Sequence, residues 1–251
     1  MSAHWITFQV ILVLFLATVV RSAFGFGEAL ISVPLLAFVM PVEEAAPTAV
    51  LVSITVAFVI VIQDWRRVHV SSAGWLVAST FFGIPLGLLL LKTLAEPIVE
   101  AILGVVVAAF SVHSLLSRRN NELKDDRWAV VFGFTAGVLG GAYGMNGPPL
   151  AIYGSLRRWS PEHFRATLQA YFLPASIAGM GGYWFAGLWT PAVNRFYLVS
   201  LPGVLVAIFL GRAINRRMRN RRFIFYIHLG LTVIGAVLLL KALAGWSILN
   251  R

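Results

Sequence analysis

The stretch Ala17–Pro34 reads ATVVRSAFGFGEALISVP, and a second stretch, Ala136–Tyr153, reads AGVLGGAYGMNGPPLAIY. Both are apolar at their ends and are interrupted in the middle by glycines and polar groups. In the first, Arg21 and Glu28 flank two glycines, and in the second an asparagine and a glycine precede two prolines. The two stretches occupy corresponding places in the two halves of the chain. Each predicts a helix that is broken near its centre.

The composition is that of a membrane protein. Of the 251 residues 59% are hydrophobic and 12% are charged, whereas soluble proteins have roughly 25% charged residues. A helix needs about 20 apolar residues to cross the hydrocarbon core, and we therefore predict an all-α integral membrane protein. Unbroken stretches of that order are Ala45–Ile62, Trp75–Leu91, Ile98–Leu116, Phe164–Phe185, Phe196–Leu210 and Phe223–Leu240.

The net charge of +10 reflects basic residues in the loops between apolar stretches. This pattern is typical of positive-inside topology rather than of a nucleic-acid surface, and it places the loops at 64–69, 117–127 and 212–222 in the cytoplasm. Each half then holds five segments, and an odd number inverts the second half relative to the first. We predict two inverted repeats, 1–116 and 128–251, each with a broken or re-entrant helix pair, joined by a cytoplasmic linker at 117–127.

Broken helices at matched positions of an inverted repeat are typical of the substrate site of a transporter. The N-terminus of a helix carries roughly half a positive charge and unpaired N–H groups, which attract anions. In the first broken stretch one helix is expected to end at Val20 and a short one to start at Ala29. In the second, a short helix is expected to start at Pro149. We predict a site for a small anion between the two broken elements. Its residues are Arg21, Gly25, Gly27, Glu28, Thr48, Tyr143, Gly144, Asn146, Gly147, Arg165, Thr167 and Gln169.

The charged residues of this site have alternative interpretations. An arginine at mid-bilayer costs roughly 2.5–3.5 kcal/mol, so Arg21 is either a counter-charge for the anion, a structural partner of Glu28, or a residue near the interface. Glu28 is either a proton carrier that pairs with Arg21 when charged, or a carboxylate held by the N–H groups of a helix start. Arg165 either lines a polar path with Thr167 and Gln169 or follows the positive-inside pattern.

Two other functions use the same features. An anion channel would employ the helix ends as a filter, and an intramembrane enzyme would need a nucleophile–base pair, which we do not find. The chain has no cysteine and no histidine pair with metal-ligand spacing, so we predict a non-enzyme without cofactor or metal. The predicted partners are a small anion, the lipid bilayer and protons as coupling ion, and no nucleic acid. A homo-oligomer is compatible with the sequence.

Two runs of residues carry a resemblance to a known family. The first break, Arg21–Pro34, runs through an apolar stretch into a Val-Pro pair and is followed by Ala45–Thr48. The second, Gly144–Pro149, precedes a short helix and is followed by Phe164–Leu168. In these features the chain resembles the TauE/SafE family, also called the toluene-sulfonate uptake permeases, over essentially its whole length.

The resemblance implies a multi-pass transporter of the bacterial inner membrane. Members of the family are associated with moving sulfite, sulfonates and other small sulfur oxyanions, commonly by export. In inverted-repeat transporters, rocking or gating of one repeat against the other gives alternating access. Many members have further glycines where this chain has Glu28, and that departure points to a different substrate or to proton coupling.

Overall fold

The computed structural model describes residues 3–36, 38–93, 122–143 and 146–249, with short helical pieces between 98 and 112. Over these residues the chain forms α-helices and a 3-10 turn, Trp65–Arg67, and contains no strand, which confirms the all-α prediction. The helices are α1 (Ala3–Phe24), α2 (Glu28–Leu36), α3 (Val42–Asp64), α4 (Val70–Thr93), α5 (Arg127–Tyr143), α6 (Gly147–Leu156), α7 (Pro161–Phe185), α8 (Pro191–Arg217) and α9 (Asn220–Leu249).

Five helices in the described part of the chain are long and apolar enough to cross a membrane, so the protein is a multi-pass membrane protein. α7 is equally long but less apolar. Its first turns carry Arg165, Thr167 and Gln169, all of them buried, so this part of α7 faces protein rather than lipid. The predicted stretch Ile98–Leu116 lies partly outside the described residues. The five spans are His4–Phe24, Glu43–Arg67, Val70–Gly87, Pro191–Arg217 and Asn220–Leu240.

Both predicted breaks are present. α1 ends at Phe24 and α2 begins at Glu28, while α5 ends at Tyr143 and α6 begins at Gly147. With nine and ten residues, α2 and α6 are about 14 and 15 Å long. The hydrocarbon core is about 30 Å thick, which is about twice the length of either helix. Neither short helix is therefore long enough to cross it.

The first break falls later than the sequence pattern predicts. The pattern ends the first helix at Val20, but α1 continues through Arg21 to Phe24, because the Arg21 side chain finds partners inside the protein. The chain then turns at Gly25 and Gly27, whose φ angles are +87° and +96°. Residues with a Cβ rarely adopt this left-handed conformation, so the turn requires glycine.

The chain divides by internal contact into two compact units, Met1–Val77 with Ser160–Met218 and Ala78–Trp159 with Arg219–Arg251. Each unit takes elements from both halves of the chain, whereas the predicted repeats are consecutive. A repeat is a segment that recurs along the sequence, whereas each of these units is a group of residues in mutual contact. The units therefore do not test the repeats. The repeat boundaries at 116 and 128 therefore stay a prediction.

The first unit is built on the packing of α1 along α8 and of α3 along α7 and α8. Gly211 of α8 lets the first pair approach closely. A Cβ added there would lie 2.4 Å from the Cβ of Ser22 and 2.8 Å from the carbonyl oxygen of Val19. The apolar core of this unit is Val10, Leu14, Leu36, Met40, Ala45, Val52, Val56, Ile60, Val204 and Ile208.

The second unit repeats this kind of close approach. A Cβ at Gly83 of α4 would lie 2.3 Å from the carbonyl oxygen of Phe134, and one at Gly137 of α5 would lie 2.3 Å from the carbonyl oxygen of Thr80. α6 packs against α5 and contacts α9. Glycines in small-xxx-small spacing let membrane helices touch, so Gly137 serves packing, whereas Gly25 and Gly27 turn the chain.

The close crossing of α1 and α8 generates a stability prediction. We expect Gly211→Ala to lower the thermal stability of the detergent-purified protein by about 1–3 kcal/mol, because the new methyl group overlaps the backbone of α1. The matched control is Gly179→Ala in α7, where an added Cβ meets nothing within 4 Å. There the substitution should be neutral or stabilise by about 0.5–1 kcal/mol. Equal effects of the two substitutions on thermal unfolding would contradict the packing argument.

Candidate functional site

The end of α1 is held by side chains from α7 and α8. The last carbonyl groups of a helix have no intrahelical partner, and inside a membrane protein they must find one in the protein or in a water-filled cavity. Here three carbonyls at or just after the end of α1 accept side-chain hydrogen bonds. The carbonyl oxygen of Ser22 accepts from Arg165 Nε (2.6 Å), that of Ala23 from Asn215 Nδ2 (2.7 Å) and that of Gly25 from Gln169 Nε2 (2.8 Å).

Arg21, in the last turn of α1, is enclosed by polar and aromatic groups. Only 4% of it is exposed. Its Nη1 forms an ion pair with Glu28 and donates to Ser53 Oγ, and its Nε donates to Gln169 Oε1 at 2.9 Å. The guanidinium carbon lies 5.1 Å from the ring centroid of Phe172, within reach of a cation–π interaction. The charge is thus buried, paired and fixed in orientation.

The cluster formed by Arg21, Glu28, Ser53, Gln169 and Phe172 contains two atoms that could form further hydrogen bonds. Arg21 Nη2 and Glu28 Oε1 are buried and have no partner among the residues that the structure describes. Buried polar groups are normally hydrogen-bonded, so each such atom needs an explanation, such as a water molecule or an ion. In the same unit this also holds for the hydroxyl groups of Thr18, Ser22, Ser32 and Thr48. The N–H groups on Nη2 of Arg21 are therefore available as hydrogen-bond donors.

Two serines that the sequence analysis missed extend the cluster. Ser53 on α3, which accepts from Arg21, lies 2.9 Å from Ser176 on α7, Oγ to Oγ. The signal in the sequence is a lone serine within a strongly apolar helix, as at Ser53. Two hydroxyl groups thus join the buried arginine to the second half of α7.

Arg165 and Thr167 were predicted to line the site, and the structure gives both of them protein partners. Arg165 forms an ion pair with Asp64 and also holds the carbonyl group of Ser22. Thr167 Oγ1 accepts a hydrogen bond from the backbone N–H of His69 at 3.0 Å. Asp64 therefore neutralises the charge of Arg165. A direct contact of either residue with substrate stays a prediction.

The other six predicted residues of the first unit divide into two groups. Four are linked by hydrogen bonds, and two, Gly27 and Thr48, are not part of this linked set. Gly27 turns the chain immediately before the cluster, and Thr48 lies buried on α3, where its hydroxyl group has no partner in the described part of the chain. Four predicted residues come into direct contact: Arg21, Gly25, Glu28 and Gln169.

The second break lies in the second unit and carries no charge in the first turn of its helix. α6 begins at Gly147, two residues before the predicted start at Pro149, so both prolines lie in its first turn, and the side chain of Asn146 does not cap it. Gly144 and the side chain of Tyr143 lie outside the described residues. That these four residues bind substrate stays a prediction.

Comparison with known proteins identifies relatives over most of the chain. The family model described as "Sulfite exporter TauE/SafE" matches residues 10–239. A protein of Cupriavidus necator named "Probable sulfite/organosulfonate exporter TauE" is 27% identical over 188 residues, which cover 73% of this chain and 71% of that protein. No solved structure matches the chain.

The double role of Gln169 generates a prediction. We expect Gln169→Met to destabilise the protein by about 1–3 kcal/mol for each group it leaves without a partner, the Gly25 carbonyl and Arg21 Nε. Gln169→Glu should lose only the first of these bonds, because a carboxylate still accepts from arginine. The matched control is Gln9→Met, since Gln9 Oε1 has no partner among the described residues. Thermal unfolding in detergent measures all three variants, and a loss for Gln9→Met as large as for Gln169→Met would refute the proposed role.

Proposed function

Because the chain belongs to the TauE/SafE sulfite exporter family, we propose that it exports a small sulfur oxyanion, sulfite or an organosulfonate, across the bacterial inner membrane. The observation that carries this proposal is the buried Arg21, whose Nη2 has no partner among the described residues. Burying a charge in a membrane protein is costly, so a buried arginine is by default a candidate functional residue. The name of the Cupriavidus necator relative supports the same substrate class.

The anion would bind at the break between α1 and α2. The free Nη2 of Arg21 donates to an oxyanion oxygen, and charge-assisted bonds of this kind are about twice as strong as neutral ones. The hydroxyl groups of Ser53 and Ser176 are a short distance along the same hydrogen-bonded chain. The first-turn N–H groups of α2 have no intrahelical partner and add positive potential.

Glu28 couples this site to protons in the proposed mechanism. In the empty site Glu28 neutralises Arg21. A second anion on Arg21 would leave two negative charges on one arginine, which burial makes unfavourable. Glu28 therefore takes up a proton when the anion binds and loses it when the anion leaves. The anion and the proton then travel in the same direction.

The helix bounds support an inverted repeat. The ends of α5 and α1 differ by 143 − 24 = 119 residues, the starts of α6 and α2 by 147 − 28 = 119, and the starts of α7 and α3 by 161 − 42 = 119. The same spacing at three boundaries favours duplication of one unit of structure. Because the sequence predicts five segments in each half, the copies would be inverted, the arrangement on which alternating access relies. We carry the predicted site residues of the second break, Tyr143, Gly144, Asn146 and Gly147, forward on this basis.

The anion-binding role of Arg21 is tested by removing the charges of Arg21 and Glu28 together. We expect Arg21→Gln/Glu28→Gln to fold, because no unpaired charge remains, and to lower organosulfonate efflux from proteoliposomes at least about tenfold, the effect of losing one charge-assisted bond. Arg217→Gln, which removes an exposed arginine at the end of α8, is the matched control and should transport normally. Wild-type efflux by the double variant would overturn the proposal.

Proton coupling is tested by Glu28→Gln alone. Wild-type efflux of an organosulfonate, which stays ionised across the assay range, should accelerate when the interior of the vesicle is acidic. Glu28→Gln should lose this response, because an amide cannot carry the proton. Glu162→Gln is the control, since Glu162 pairs with the half-exposed Arg67, and it should keep the response. If wild-type efflux ignored the pH gradient, or Glu28→Gln still followed it, coupling through Glu28 would be wrong.

A further inference from the structure

Three arginines converge on one carboxylate at the end of α3. Arg165 pairs with Oδ2 of Asp64, while Nη2 of Arg212 lies 2.5 Å and Nη2 of Arg216 lies 3.7 Å from Oδ1. A carboxylate carries one negative charge and the three guanidinium groups carry three positive charges. The cluster therefore has an excess of two positive charges, which no residue of this set neutralises.

The excess charge is on Arg212 and Arg216 rather than on Arg165. Arg165 is 0% exposed and its Nε and Nη1 are bonded to Ser22 and Asp64. The side chains of Arg212 and Arg216 are 21% and 51% exposed, so an ion from solution has access to them. These two residues are four positions apart on α8 and hence on one face of the helix.

Two buried donors beside these arginines have no partner. Arg212 Nη2 donates to the backbone oxygen of Gln63 at 3.0 Å, which places the two residues side by side. Arg212 Nε and Gln63 Nε2 are both buried and without a hydrogen-bond partner among the described residues. Leaving a buried donor unbonded costs about 1–3 kcal/mol. An acceptor that reached either donor would remove this cost.

We propose that Arg212, Arg216 and Gln63 form a second oxyanion-binding site, which uses different residues from the cluster around Arg21. A tetrahedral oxyanion such as sulfate or phosphate fits, because guanidinium groups bind such ions through paired N–H donors. The same chemistry is offered by the phosphate of an anionic phospholipid. The segment 212–222, which the structure shows to be the end of α8 and the start of α9 rather than a loop, is predicted to lie at the cytoplasmic surface, where such lipids attract arginine. The site does not rest on the proposed transport function.

Sulfate binding in the absence of the first cluster tests the site. In detergent-purified Arg21→Gln/Glu28→Gln protein, isothermal titration should show one saturable sulfate site. Adding Arg212→Gln/Arg216→Gln should weaken that site at least about tenfold. The matched control adds Arg217→Gln/Arg222→Gln. These two exposed arginines belong to the same basic segment, so the control removes the same charge and should leave binding intact. A failure of transport leaves this result unaffected, because the parent protein already lacks Arg21.

Two further measurements complete the test. Arg212→Lys/Arg216→Lys keeps the charge and should bind sulfate more tightly than the glutamine variant, which separates loss of the site from loss of the fold. In nanodiscs of zwitterionic lipid, added phosphatidylglycerol should raise the unfolding temperature only in proteins that retain both arginines if a headgroup occupies the site. The proposal fails if neither sulfate nor phosphatidylglycerol acts through Arg212 and Arg216, or if the Arg217→Gln/Arg222→Gln control loses binding equally.

Discussion

A helix that stops inside a membrane protein exposes backbone carbonyl groups, and the rest of the first unit is organised around satisfying them. The donors are Arg165 and Gln169 from α7 and Asn215 from α8. The C-terminal end of a helix carries negative potential, which favours the cationic Arg165 there. The polar stretch of α7 is thus a consequence of the break in α1, and it explains why α7 is less apolar than the spans that face lipid.

The same requirement fixes the orientation of Arg21. Because Gln169 Nε2 donates to the Gly25 carbonyl, its Oε1 must face Arg21 Nε, and a flipped amide would lose both bonds. Nη1 of Arg21 is bonded to Glu28 and Ser53, so Nη2 is the nitrogen of Arg21 that has no partner among the described residues. A buried ion pair contributes little net stability. Stability alone therefore does not account for the Arg21–Glu28 pair, and the exchange of one anion for another on Arg21 that we propose would give the pair a role.

The breaks were predictable from sequence because their causes are local. Glycines beside polar groups mark the turn at Gly25, and the prolines after Gly147 mark a helix start. The partners were not predictable, because they are distant: Arg165 and Asp64 are 101 residues apart, and Asn215 and Ala23 are 192 apart. For the same reason the pattern ends the first helix at Val20. A prediction from neighbouring residues treats an arginine as the end of an apolar helix. In the structure Arg21 stays within α1, and its side chain is bonded to Gln169, which lies 148 residues away.

The two breaks are separated by the same spacing as the helices that flank them, and they differ in charge. Glu28 and Gly147 correspond at the spacing of 119, since 147 − 28 = 119, yet α2 begins with a carboxylate and α6 has no acidic residue in its first turn. A carboxylate therefore already lies at the positive end of α2, and in the proposed mechanism an external anion gains from that end only after Glu28 is protonated or displaced. At α6 no such step is needed. In the proposed mechanism the two helix ends thus differ in how readily they accept an anion, because Glu28 makes proton uptake a condition of binding at the first.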